Sequence, residues 1–110
     1  MKIIEIPMDL AIKFKEPSTG EDISKPAKFS DWAENIVDFY GEAKTLKQVR
    51  QVQKIVDALH GANGTMQLED AEYDLLKAAV ENYPTKMPPF IVRQHMAFID
   101  AIEKAQDVKK

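Results

Sequence analysis

The sequence predicts an α+β fold. An N-terminal β-hairpin, spanning about residues 2–14 and 22–29, packs on or projects from a cluster of four helices at about 31–40, 45–60, 69–83 and 89–106. Three observations carry this expectation. From Ile4 to Phe14 every even position is apolar (Ile4, Ile6, Met8, Leu10, Ile12, Phe14), with Glu5, Pro7, Asp9, Ala11 and Lys13 between them. A strand turns successive side chains to opposite faces, so this spacing makes one oily face that other elements must cover. Residues 15–22 are then dense in turn formers, with Pro17 presetting its own φ and Gly20 free to take a positive one. Beyond residue 30 the apolar residues recur at helical spacings between glycine and proline stops.

The return strand is placed by Ile23, Lys25, Ala27 and Phe29, which share one parity; Ile23, Ala27 and Phe29 are set against the oily face. Pro7 and Pro26 have no N–H to give a ladder, which confines them to edges, bulges or strand ends and makes the hairpin irregular near its base. Ser30 and Asp31 open the first helix, whose stripe is Trp32, Ala33, Ile36, Val37 and Tyr40, with Gly41 as its stop. Thr45 and Gln48 form a capping box for the second, striped by Leu46, Val49, Val52, Val56 and Leu59 with Ile55 beside them, and Gly61 ends it. Asn63-Gly64 is a turn signal, and residues 65–68 make a short extended piece docking on the hairpin. The third helix starts near Glu69 or Asp70, with Glu72 three residues after Glu69, and buries Leu75, Leu76, Ala79, Val80 and Tyr83 before Pro84 closes it. Pro88-Pro89 open the last helix, striped by Ile91, His95, Phe98, Ile102 and Ala105 and widened by Val92, Met96 and Ile99. Residues 107–110 read as a solvated, frayed tail. The whole chain is expected to be one domain, 1–29 as the hairpin arm and 30–110 as the helical part.

The composition narrows the function classes. The 110 residues carry a net charge of −3 and lack cysteine, which removes disulfides, thiol catalysis and cysteine-ligated metals. The acidic balance argues against a nucleic-acid partner. No apolar run approaches the ~20 residues that cross a bilayer, and the opening residues do not read as a signal peptide, so a cytoplasmic or particle-borne protein without a membrane role is expected.

Catalytic motifs are missing from the sequence. Its four glycines form no phosphate-binding loop. Its two histidines are distant: His60 suits the C-terminal end of the second helix, and His95 lies in an apolar stripe, where a half-buried structural histidine is commoner than a ligand. The stretch 59–70 has a glycine and a following hydrophobic residue in the positions of a calcium loop, but Leu59 and Gly61 stand where carboxylates are needed. No cofactor or metal is expected, and no enzyme.

Charge and apolar patterning point to recognition. Asp31, Asp38 and Glu42 run along the first helix, Glu69, Asp70, Glu72 and Asp74 cluster at the start of the third, and Lys44, Lys47, Arg50 and Lys54 stripe the second. Solvated faces and helix-dipole complementarity explain most of this. The expected function is a non-enzymatic interaction or assembly module that contacts itself or another protein through the N-terminal strand, with Ile4, Ile6, Met8 and Leu10 as contact residues. The alternative is a monomeric acidic inhibitor, binding a host protein through Asp31, Asp38, Glu42, Glu69 and Asp70.

Three stretches also carry a resemblance: Met1-Lys2-Ile3-Ile4-Glu5-Ile6-Pro7, Lys15-Glu16-Pro17-Ser18-Thr19-Gly20-Glu21-Asp22, and Phe98-Ile99-Asp100-Ala101-Ile102-Glu103-Lys104-Ala105. In these the chain resembles the small acidic accessory and structural proteins of tailed bacteriophages and prophages. The resemblance implies a particle component or a protein acting on host or phage machinery, without catalysis.

Overall fold

A computed structural model of the chain describes residues 1–40 and 45–107, with Phe39 and Tyr40 described in their backbone only; residues 41–44, with the expected Gly41 stop and the charges of Glu42 and Lys44, and residues 108–110 lie outside the described residues. The fold is α+β and begins with a strand. The long first strand divides into β1 (Lys2–Glu5) and β2 (Leu10–Lys15), with Pro7 in the gap. A donorless residue there cannot continue a ladder, and the two halves enter different sheets. β1 is the middle of a three-stranded antiparallel sheet, between β4 (Thr65–Leu68), with Ile4 opposite Met66, and β5 (Gln106–Asp107), with Ile3 opposite Gln106. The expected hairpin therefore survives only in its outer half. There β2 pairs with β3 (Asp22–Ala27) across a turn in which Gly20 takes a φ of +71°.

The return strand is shorter than expected, because Phe29 belongs to α1 (Phe29–Tyr40) and lies buried in the core. α2 (Leu46–His60) starts on the capping box: the Gln48 N–H donates to Thr45 Oγ1 at 3.2 Å, and the Thr45 N–H donates to Gln48 Oε1 at 3.2 Å. Its inward face is rotated from the expected stripe. Ile55 and Leu59 are buried and Val52 partly so, while Leu46 and Val49 are exposed. α3 (Asp70–Asn82) buries Tyr73, Leu75, Leu76, Ala79 and Val80, and a single 3-10 turn (Tyr83–Thr85) carries the buried Tyr83 past Pro84.

The last expected helix is two: α4 (Pro89–Gln94) and α5 (Met96–Glu103), which makes five α-helices among the described residues. His95 causes the break. Its Nδ1 lies 2.9 Å from the Ile91 carbonyl, which can only accept, so the ring takes the oxygen that the His95 N–H would use in a continuous helix. That N–H donates instead to Val92 at 3.0 Å. α5 also ends early: Gln106 and Asp107, expected as helix end and loose tail, form β5, with Asp107 Oδ1 2.8 Å from Lys2 Nζ.

The core lies where α1, α2, α3, α5 and the inner side of β1 and β4 meet. Ile4, Ile36, Leu76, Phe98 and Ile102 are almost fully buried there, and the Tyr73 hydroxyl donates to the Ile102 carbonyl at 2.8 Å. β2 and β3 lie outside this centre. Leu10 and Ala27 at their base touch the core, whereas β3 is largely exposed along its length. The molecule is elongated, 52 × 30 × 21 Å.

Candidate interaction surface

The distal part of the hairpin and α4 together form a groove. Gln94 is the residue that joins them. The Lys13 N–H donates to Gln94 Oε1 at 2.7 Å, Gln94 Nε2 donates to the Lys13 carbonyl at 3.0 Å, and the same nitrogen donates to the Phe90 carbonyl at 3.1 Å. The side-chain amide thus takes the place that a neighbouring strand's peptide would hold, at one position of the β2 edge.

This bond also fixes which backbone groups face outward. In an antiparallel ladder the residues alternate between bonding the partner and facing away. Lys13 faces away from β3, and the Glu16 N–H donates to the Glu21 carbonyl at 2.8 Å. Even-numbered residues of β2 therefore bond β3, and odd-numbered ones do not. Ala11 lies opposite Pro26 and Lys13 opposite Ser24, so Pro26 stands where no N–H is required of it. By the same alternation, Asp22 and Ser24 turn their N–H and C=O groups to the outer edge of β3. Among the described residues no hydrogen bond reaches those groups.

Phe14 and Ile23 are cross-strand partners on the face turned to α4. With Pro17, and with Phe90 and Ile91 from the first turn of α4, they line an open groove of about 960 Å³. Lys13, Lys15, Asp22 and Ser24 line it too, and Lys25 Nζ lies 5.7 Å from the Phe14 ring centroid, within cation–π range. Phe90 is 48% exposed, and Ile12 is buried. A second notch of about 700 Å³ between β1 and α5 is mixed in character, with Ile6, Pro7, Ala97 and Ala101 beside Glu5, Asp100 and Lys104.

The residues expected to meet a partner do not come together. Ile4 is fully buried and spent on the chain's own core, and Ile6 and Leu10 pack partly against that core. Met8, 88% exposed, stands in the connection between β1 and β2. Asp31 and Asp38 are exposed on α1, and Glu69 is exposed at the N-cap of α3. Asp70 Oδ1 is 2.9 Å from the Met1 amino group, and Glu42 lies outside the described residues. Glu72 does not solvate the acidic cluster at all: it is buried, with Oε1 3.6 Å from Lys54 Nζ. Sequence reasoning missed Phe90 as a surface residue. The available signal was an aromatic side chain just after Pro88-Pro89 and off the Ile91–His95–Phe98 stripe.

Neither histidine lines the groove. His95 is buried, stacked on Trp32 at 5.8 Å between centroids, with its Nδ1 3.1 Å from the Tyr83 hydroxyl; burial holds its pKa below the ordinary 6.5. His60 Nε2 is 2.9 Å from Glu34 Oε2 of α1, and that hydrogen bond raises its pKa. Among the described residues no three His, Asp or Glu side chains gather as a metal site, and no helix is long and apolar enough to cross a membrane. No family model matches the chain, and no curated protein or solved structure matches it.

Proposed function

We propose that the chain is a non-enzymatic protein–protein interaction or assembly module whose recognition element is the β2–β3 hairpin with α4. The observation that carries this reading is the pairing of an apolar groove (Phe14, Ile23, Phe90, Ile91) with an unbonded strand edge at Asp22 and Ser24. Edge backbone groups supply affinity for an added strand, and side-chain pockets beside them supply selectivity. Residues of α1, α2, α3 and α5 and of the β1–β4 sheet supply the core, and the hairpin touches it only at its base through Leu10 and Ala27, which leaves its distal faces available. The groove offers no acid–base pair aimed at a common point, which supports recognition over catalysis.

The acidic faces are the weaker surface, because Asp70 and Glu72 already have cationic partners within the chain. A role as a phage particle component or accessory protein rests on the sequence resemblance. The test is a Phe14→Ser, Phe90→Ser double variant. With an unchanged far-ultraviolet spectrum, it should lose the chain's self-association and its capture of other proteins. Retention of both in the folded variant would refute the reading.

A further inference from the structure

We infer that the partner of the β3 edge is a second copy of this chain, paired antiparallel about a twofold axis centred on Ile23. The inference rests on the reading above that the hairpin is the recognition element, and it goes further by naming the occupant and the register.

Only strand registers that bring outward-facing groups opposite one another can form a ladder, which restricts a twofold axis to few positions. Centred on Ile23, the axis sets Asp22 of each copy opposite Ser24 of the other, and both residues present free N–H and C=O groups there. It sets Ile23 against Ile23, and Glu21 of each copy against Lys25 of the other, twice by symmetry. Opposite charges directly across a strand pair stabilise it and like charges oppose it. Centred on Asp22 the axis would oppose two aspartates, and on Lys25 two lysines. Centred on Ser24 it would set Lys25 against Ile23 and bring Pro26, which has no donor, opposite Asp22. One register therefore matches charge with charge and apolar with apolar.

The same register continues a pattern already present. Phe14 is opposite Ile23 within one hairpin, so pairing makes an unbroken apolar row across four strands: Phe14, Ile23, then Ile23 and Phe14 of the second copy. A twofold axis normal to the sheet puts both groove faces on the same side of the shared sheet. Gln94 holds the opposite edge, on β2, at Lys13, which leaves β3 as the more open edge of the hairpin. Pairing of two six-residue strands is expected to fall short of the ~2,000 Å² and more that permanent interfaces bury, so the expected dimer forms at high concentration and separates on dilution.

The test uses the full chain, which has no cysteine of its own. In an antiparallel pair the residues facing across a non-bonded position have Cα atoms about 4.5 Å apart, within disulfide reach. Ile23→Cys is therefore expected to oxidise to a covalent dimer. Ser24→Cys, about 7–8 Å from its own copy in this register, is expected to cross-link at least tenfold more slowly. Sedimentation velocity over a hundredfold concentration range adds a second reading: Lys25→Glu should be monomeric throughout, and Glu21→Lys with Lys25→Glu should recover the dimer. Equal cross-linking at both positions, or no loss of dimer in Lys25→Glu, overturns the register. A wild-type chain that stays monomeric, while a photoreactive residue at Ile23 cross-links to a different protein, overturns the self-pairing alone. A monomer with no cross-link at Ile23 to anything overturns the hairpin reading as well.

Discussion

At the scale of single residues, two aromatic side chains decide how the C-terminal half is built. Phe98 is fully buried, with its ring 5.5 Å edge-on to Phe29 and 5.3 Å from Trp32. Truncation would leave a cavity that the surrounding helices fill only in part. Phe98→Ala should therefore cost about 3–5 kcal/mol in urea unfolding, and a loss below about 1 kcal/mol would show that the site collapses or faces elsewhere. His95 ties stability to pH. Burial among Trp32, Tyr83 and Phe98 depresses its pKa, so an unfolded chain takes up its proton near 6.5 while the folded chain resists to lower pH. In that interval the unfolded state binds more protons, and stability falls as pH falls. His60 acts in the opposite sense: its contribution from Glu34 is complete below 6.5 and is lost as pH rises through its raised value. In a His60→Gln background the urea midpoint should drop between about pH 7 and about pH 5.5, and His95→Phe should flatten that drop. The single Trp32, stacked on His95, lets fluorescence follow the same titration.

At the scale of elements, the sequence was most legible where one residue's chemistry decided the outcome locally. The Thr45 and Gln48 box, the Gly20 turn and the α3 stripe all stand where their side chains predict. Alternating apolar positions from Ile4 to Phe14 also pointed to extended chain, which the structure has at the two ends of that stretch, in β1 and β2, and not across residues 6–9. They could not reveal that the two halves serve different sheets, because period-two patterning specifies a face and not a partner strand. Pro7 was the local clue to that division. The α4–α5 break was hidden for a different reason: an apolar stripe at three- and four-residue spacing runs through it, and the cause is one histidine ring taking one carbonyl. The groove was hidden further still, since Gln94 and Lys13 lie 81 residues apart in sequence. Gln94→Leu should free the hairpin from α4. The expected result is faster amide exchange at Lys13 with the β1 amides unchanged, and equal protection in both proteins would show that apolar contact alone holds the hairpin.

At the scale of the whole molecule, the division of labour follows from where the apolar surface goes. β1, β4 and the long helices close the core around Ile4, Leu76 and Ile102, while the outer hairpin keeps Phe14 and Ile23 only partly covered and Phe90 beside them exposed. A partly covered apolar face beside a free strand edge invites strand addition unless charge or proline blocks it. Here Pro26 blocks only one end of the β3 edge. The most direct measurement is photocross-linking in the 110-residue chain, with the reactive side chain placed in turn at Phe90 in the groove and at Asp31 or Asp38 on α1. If the hairpin and α4 are the recognition surface, the Phe90 position forms covalent adducts with another polypeptide chain and the α1 positions do not. Adducts from Asp31 and Asp38 with none from Phe90 would contradict this and return the function to the acidic face.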